Sequence, residues 1–142
     1  MTGWRSLLLL DALPTRSDLA LLLLRVWLGL SMVTLHGWGK LDRLLDGDTK
    51  FRSVFGLPES VSLGLAAGAE VFGALLVVVG LATRWSALWV AATMAMAFIL
   101  GHGGALKGPG NGEMPFIFLA GFLAIFLAGP GKYSVDAKLA AK

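Results

Sequence analysis

Two ionisable side chains stand inside long apolar runs of this sequence, Arg25 in the run from Leu19 to Trp38 and Glu70 in the run from Val61 to Leu81. A charge near the centre of a bilayer costs roughly 2.5–3.5 kcal/mol on insertion scales, so an intramembrane ionisable group asks for a partner or a use. Counting ~1.5 Å of rise per residue on two antiparallel helices places Arg25 and Glu70 within about 6 Å of each other in depth. The pair is expected to be a structural ion pair locking the two helices; the same charges would also suit a ligand or proton site. Eleven residues separate Arg25 from His36, three helical turns plus about 20°, so both belong on one face, and Lys40 follows off by roughly another 40°. His102 ends the third apolar run and Glu113 precedes the fourth. An antiparallel arrangement would bring His36, Lys40, His102 and Glu113 to one rim, as candidate catalytic or ligand-binding residues.

Two histidines and a carboxylate can bind a transition metal, but these positions lack any diagnostic spacing, and no metal site is expected. Bis-histidine haem ligation by His36 and His102 would need both to be deeper than the helix ends. A quinone headgroup fits better, because a His and a Lys can hydrogen-bond its carbonyls while a His or carboxylate exchanges protons. Its tail would lie between helices. Lys107-Gly108 lacks the Ser/Thr and the strand-to-helix context of a phosphate loop. Asp46-Gly47-Asp48 lacks the ligand spacing of a calcium loop. With no cysteine among 142 residues, disulfide, thiol and cysteine-ligated cluster chemistry are excluded. Without a Lys/Arg cluster or a nucleic-acid motif, DNA and RNA are not expected partners.

The elements that must position these groups follow from composition. The chain is 56% hydrophobic and only 15% charged, with mean hydropathy +0.76. About 80 apolar residues are as many as four spans of ~20 residues require. The sequence predicts an all-α membrane protein, an antiparallel bundle of four transmembrane helices over residues 19–131, with spans at about 19–38, 61–81, 85–101 and 113–129. Residues 1–18 read as a cytoplasmic or interfacial segment, with Trp4 and Leu7–Leu10 on the membrane surface, and residues 132–142 as a tail. The first span is expected to be retained, because Lys40, Asp42 and Arg43 stand where a small-residue cleavage site would be. Thr83-Arg84 allows little more than a turn between the second and third helices. Six Lys/Arg (Arg5, Arg16, Arg84, Lys132, Lys138, Lys142) fall on the side of the termini and five (Lys40, Arg43, Lys50, Arg52, Lys107) on the other, which places the termini in the cytoplasm. Gly64, Gly68, Ala69 and Gly73 give the second helix a stripe of small residues for close packing.

Taken together, these fragments resemble the DoxX family of small four-helix membrane proteins from about Leu19 to Asp136. The matching pieces are Arg25-Val26-Trp27-Leu28-Gly29, His36-Gly37-Trp38-Gly39-Lys40-Leu41, Glu70 with Gly73, Gly80-Leu81-Ala82-Thr83-Arg84, His102, Glu113, and Gly129-Pro130-Gly131-Lys132-Tyr133-Ser134-Val135-Asp136. The resemblance implies a multi-pass inner-membrane protein. It also implies a link to quinone-coupled redox work, as in the small subunit of an archaeal thiosulfate:quinone oxidoreductase, or to an oxidative-stress complex with superoxide dismutase and a sulfurtransferase. Carried over by position, its motif residues are Arg25, His36, Lys40, Glu70, Arg84, His102 and Glu113. Electron transfer would need a bound cofactor, quinone being the candidate, or a soluble redox or membrane-complex partner; a homo-oligomer is a further option. The rival readings are a non-catalytic anchor or assembly partner and, less suited to four short spans, a small-solute permeation protein.

Overall fold

The computed structural model describes residues 15–141, and within them it is all-helical, with no strand. The expected interfacial stretch around Trp4 and Leu7–Leu10 lies outside the described residues, as do most of the 1–18 segment and Lys142. Four apolar helices follow one another: α1 (Ser17–Leu45), α2 (Glu59–Val79), α3 (Thr83–Gly101) and α4 (Glu113–Ala128), with a short α5 (Val135–Ala140) after them. The first three, at 29, 21 and 19 residues, are long and apolar enough to cross a membrane. The fourth is a shorter apolar helix of 16 residues.

The first helix outruns its expected end at Trp38 because Lys40, Asp42 and Arg43 do not break a helix; they only make its last turns amphipathic. It stops at Asp46-Gly47, where Gly47 takes a left-handed φ of 78°. Pro58, extended at φ −52° and ψ 146°, marks the start of α2. The tight turn expected between α2 and α3 is Gly80-Leu81-Ala82. Gly80 (φ 74°) satisfies the end of α2, with the Leu81 amide donating to the Leu76 carbonyl at 2.9–3.0 Å like its neighbour's. A side chain at Gly80 would also run into Arg25 and Ser134.

Each of the first three helices contains one π-turn, at Val33–Gly37, Ala69–Gly73 and Ala97–Gly101. A π-turn adds one residue to the coil and sets every later side chain back by about 100°. The turns in α1 and α2 pack against each other. There the backbones come close: a Cβ on Gly37 would stand 2.8 Å from the Glu70 carbonyl, and one on Gly29 would overlap Val78. The expected small-residue stripe on α2 has a different use. Gly68 and Gly73 make room for the Trp89 indole of α3, with would-be Cβ contacts of 3.3 Å, whereas Gly37 of α1 admits the backbone of α2. The core is shared by all four long helices, with Met32, Val77, Val90, Phe122 and Ile125 fully buried.

If the α1–α2 contact sets the packing, Gly37→Ala should lower thermal stability by about 1–3 kcal/mol, the usual cost of overpacking. Gly39→Ala, with nothing within 4 Å, should be neutral or stabilising by up to ~1 kcal/mol through helix propensity. Thermal unfolding of both variants in one detergent checks the contrast.

Candidate functional site

Glu70 lies in the π-turn of α2 and is 2% exposed. A carboxylate removed from water needs a cation, and the structure supplies Lys40, whose Nζ donates to Glu70 Oε2 at 2.5 Å and approaches the His36 carbonyl at 3.5 Å. The expected Arg25–Glu70 pair is therefore not formed. Gly37 is level with Glu70, whereas Arg25 is level with Gly80. The twelve residues between Arg25 and Gly37 amount to about 18 Å of helix. The depth estimate failed because α1 continues to Leu45, which shifts its midpoint outward. The π-turn at Val33–Gly37 completes the exchange. It swings Lys40 back across the Arg25 stripe, from about 60° on one side of it in a regular helix.

Beside this pair lies a cavity of about 560 Å³, walled by α2, α3 and the loop between α1 and α2. Lys40 and Glu70 form one part of its wall and His102 another; Leu65, Trp89 and Met96 supply apolar surface between them. Thr93 and His102 both line it, nine residues or about 13 Å apart along α3. His102 is half-buried, and its Nδ1 is 2.7 Å from the Gly110 carbonyl.

The four expected rim residues thus part company. Lys40 and His102 share the cavity. His36 does not line the cavity; its ring is edge-on to Phe118 at 5.2 Å, and its Nε2 is buried with no hydrogen-bond partner among the described residues. Glu113 is exposed at the start of α4 and does not line the cavity. Sequence reasoning missed Phe51, Arg52 and Phe55, which reach the cavity from the loop. Two aromatics flanking an arginine in a polar connection were the available signal.

The remaining motif residues work at the other end of the helices. Arg25 is fully buried, and its Nη2 donates to the Tyr133 carbonyl at 2.6 Å. Arg84 Nη1 donates to the Phe126 carbonyl at 2.7 Å, placing a cation at the C-terminus of α4. Asp136 accepts from the Ala82 and Thr83 amides, each at 2.8 Å, and from the Thr83 hydroxyl at 2.7 Å. That capping steadies Ala82, which holds a left-handed φ of 47°. Partial burial pushes the Asp136 carboxyl up, but the hydrogen bonds from Thr83 and Ala82 outweigh it and hold it below the ordinary carboxylate range.

Residues from both ends of this layout fall within one recognised sequence family. The family model of DoxX matches residues 20–103, more than half of the chain. The chain belongs to the DoxX family. The DoxX match includes Arg25, His36, Lys40, Glu70, Arg84 and His102 and stops before Glu113 and the Asp136 segment. The chain is also similar to the inner membrane protein YqjF of Escherichia coli (strain K12), 28% identical over 125 residues that cover 84% of this chain and 91% of that protein. No solved structure matches it.

For this DoxX protein, removing either half of the buried pair should cost about 3 kcal/mol, by Glu70→Gln or Lys40→Met, because the other half is left without its partner. The double variant should lose less than the sum, and a thermal-unfolding double-mutant cycle measures the difference. Asp136→Asn should lower the melting temperature at neutral pH. Because folding depresses the Asp136 carboxyl, its contribution is complete above the ordinary carboxylate value of about 4 and fades as pH falls below it. Melting curves between pH 7 and 3 should accordingly fall less steeply for the variant.

Proposed function

We propose that this DoxX protein is a multi-pass inner-membrane subunit that holds a small apolar ligand of the quinone class and serves a redox or oxidative-stress complex. The inner-membrane placement follows the named relative. In this reading all four apolar helices cross the bilayer. The shortest, α4, is about 24 Å long, which a locally thinned bilayer accommodates. The termini and the Gly80–Ala82 turn face the cytoplasm, and the cavity opens toward the opposite side.

The observation that carries the reading is the cavity itself. Its volume lies in the range of small-molecule sites, and its wall is apolar apart from a few polar groups. The donor set suits a quinone. Lys40 Nζ can share one of its three protons with a ring carbonyl while keeping Glu70, and His102 has Nε2 left after Nδ1 engages Gly110. A bound quinone would supply two-electron, two-proton redox chemistry. The chain's own part is to exclude water with Trp89, Leu65 and Met96, to orient the ring through Lys40, and to offer His102 for proton exchange. With no cysteine in the sequence, the chain offers no thiol or cysteine-ligated cluster of its own as electron donor.

Protein purified from its native membrane should yield a quinone on solvent extraction and mass spectrometry. Ala66→Trp, which fills the cavity from its α2 wall, should remove it while leaving the protein folded, and His102→Ala should weaken retention about tenfold, the loss of one good hydrogen bond. Extracts without quinone, combined with unchanged co-purification of partner proteins in Ala66→Trp, would replace this reading with that of a membrane anchor.

A further inference from the structure

The charges lining the cavity do not balance. Among the described residues Glu70 is the one carboxylate in its wall, and Lys40 already neutralises it at 2.5 Å. Arg52 is then left over. It is exposed on the loop that walls the cavity, and among the described residues its guanidinium has neither a salt bridge nor a side-chain hydrogen bond. The nearest loop acid in sequence, Asp48, is taken by Arg43 at 2.9 Å. Glu59 opens α2 outside the lining. Arg52 lines the same wall as Phe51 and Phe55, so a cation and apolar surface stand side by side there, and because Arg52 is exposed an anion can reach it while keeping part of its water.

We infer that Arg52 makes this cavity selective for a ligand that carries an anionic oxygen, a carboxylate or an ionised ring hydroxyl, on an otherwise apolar body. The inference rests on the reading that a small apolar ligand occupies the cavity, and it adds the charge of that ligand and the residue that reads it. The body lies along Leu65, Met96 and Leu100, and the anionic group meets Arg52. The Lys40–Glu70 pair carries no net charge, so it can bind a neutral carbonyl or hydroxyl but gives no preference for an anion. A planar guanidinium offers a carboxylate two parallel donors, which a neutral ester cannot use equally.

The test uses a matched pair of probes on the full-length protein in neutral detergent, an ω-brominated straight-chain alkanoate and its methyl ester. Bromine quenches nearby indoles, and Trp89 lines the cavity; the part of the quenching that disappears in Trp89→Phe reports occupancy. The alkanoate should bind about twofold to fivefold tighter than the ester, the upper part of the range for an exposed charge pair. Arg52→Gln should abolish that preference and leave ester binding unchanged, while Arg52→Lys should keep most of it. Equal binding of acid and ester to the wild type would overturn the role of Arg52 and leave the cavity reading standing. Absence of any Trp89-dependent quenching by either probe would overturn both.

Discussion

A carboxylate almost without solvent, at the point where two helices touch backbone to backbone, is the constraint on which the rest of this molecule depends. Glu70 cannot remain charged there without a cation, and the cation has to come from the helix it touches. Gly37 permits the contact, and the π-turn beside it turns Lys40 inward to make the pair. Replacing Glu70 with an apolar residue would remove the need for all three features. A buried ion pair is weak evidence for stability, since its desolvation offsets much of its attraction. The pair also lies in the wall of the cavity, and in the reading proposed above it is a polar patch held, in apolar surroundings, for a ligand.

The polar residues of the chain divide between two ends. At one end, Arg25, Arg84, Thr83 and Asp136 bind backbone groups or one another, and the segment from Gly129 to Asp136 ties α1 to the turn between α2 and α3. Ser134 stiffens that segment by donating to the Gly131 carbonyl and accepting from the Ala137 amide. These residues hold the helix ends in register. At the other end, Lys40, Glu70, Arg52 and His102 surround open space. Residues that form a single set in the sequence thus divide into one group that ties the helix ends together and another that lines the cavity.

The helices could be read from hydropathy, and the hairpin of α2 and α3 from the shortness of its connection, because both follow from local composition. That Lys40 and His102 lie at one end of the bundle was also recoverable, since a basic group at the end of an apolar run is conspicuous, and both line the cavity there. The partner of Glu70 was not. Finding it required the π-turn, which has no composition signal and which changes the phase of every later side chain, and the register of α1 against α2, which depends on where α1 ends. His36 lies within that π-turn, half-buried with its ring against Phe118, and does not line the cavity. Glu113 failed for a different reason. Preceding a helix put it at the correct end of the molecule, but at that end it faces outward.

The central claim is that the Glu70–Lys40 pair is part of a ligand site. Difference infrared spectroscopy, recorded as a short-chain quinone is added to the purified protein, addresses that pair most directly. A carboxylate stretching band should shift on binding, and that shift should be absent from Glu70→Gln and lost when the cavity is filled by Ala66→Trp. Quinone binding that leaves the Glu70 band unmoved would contradict the central claim.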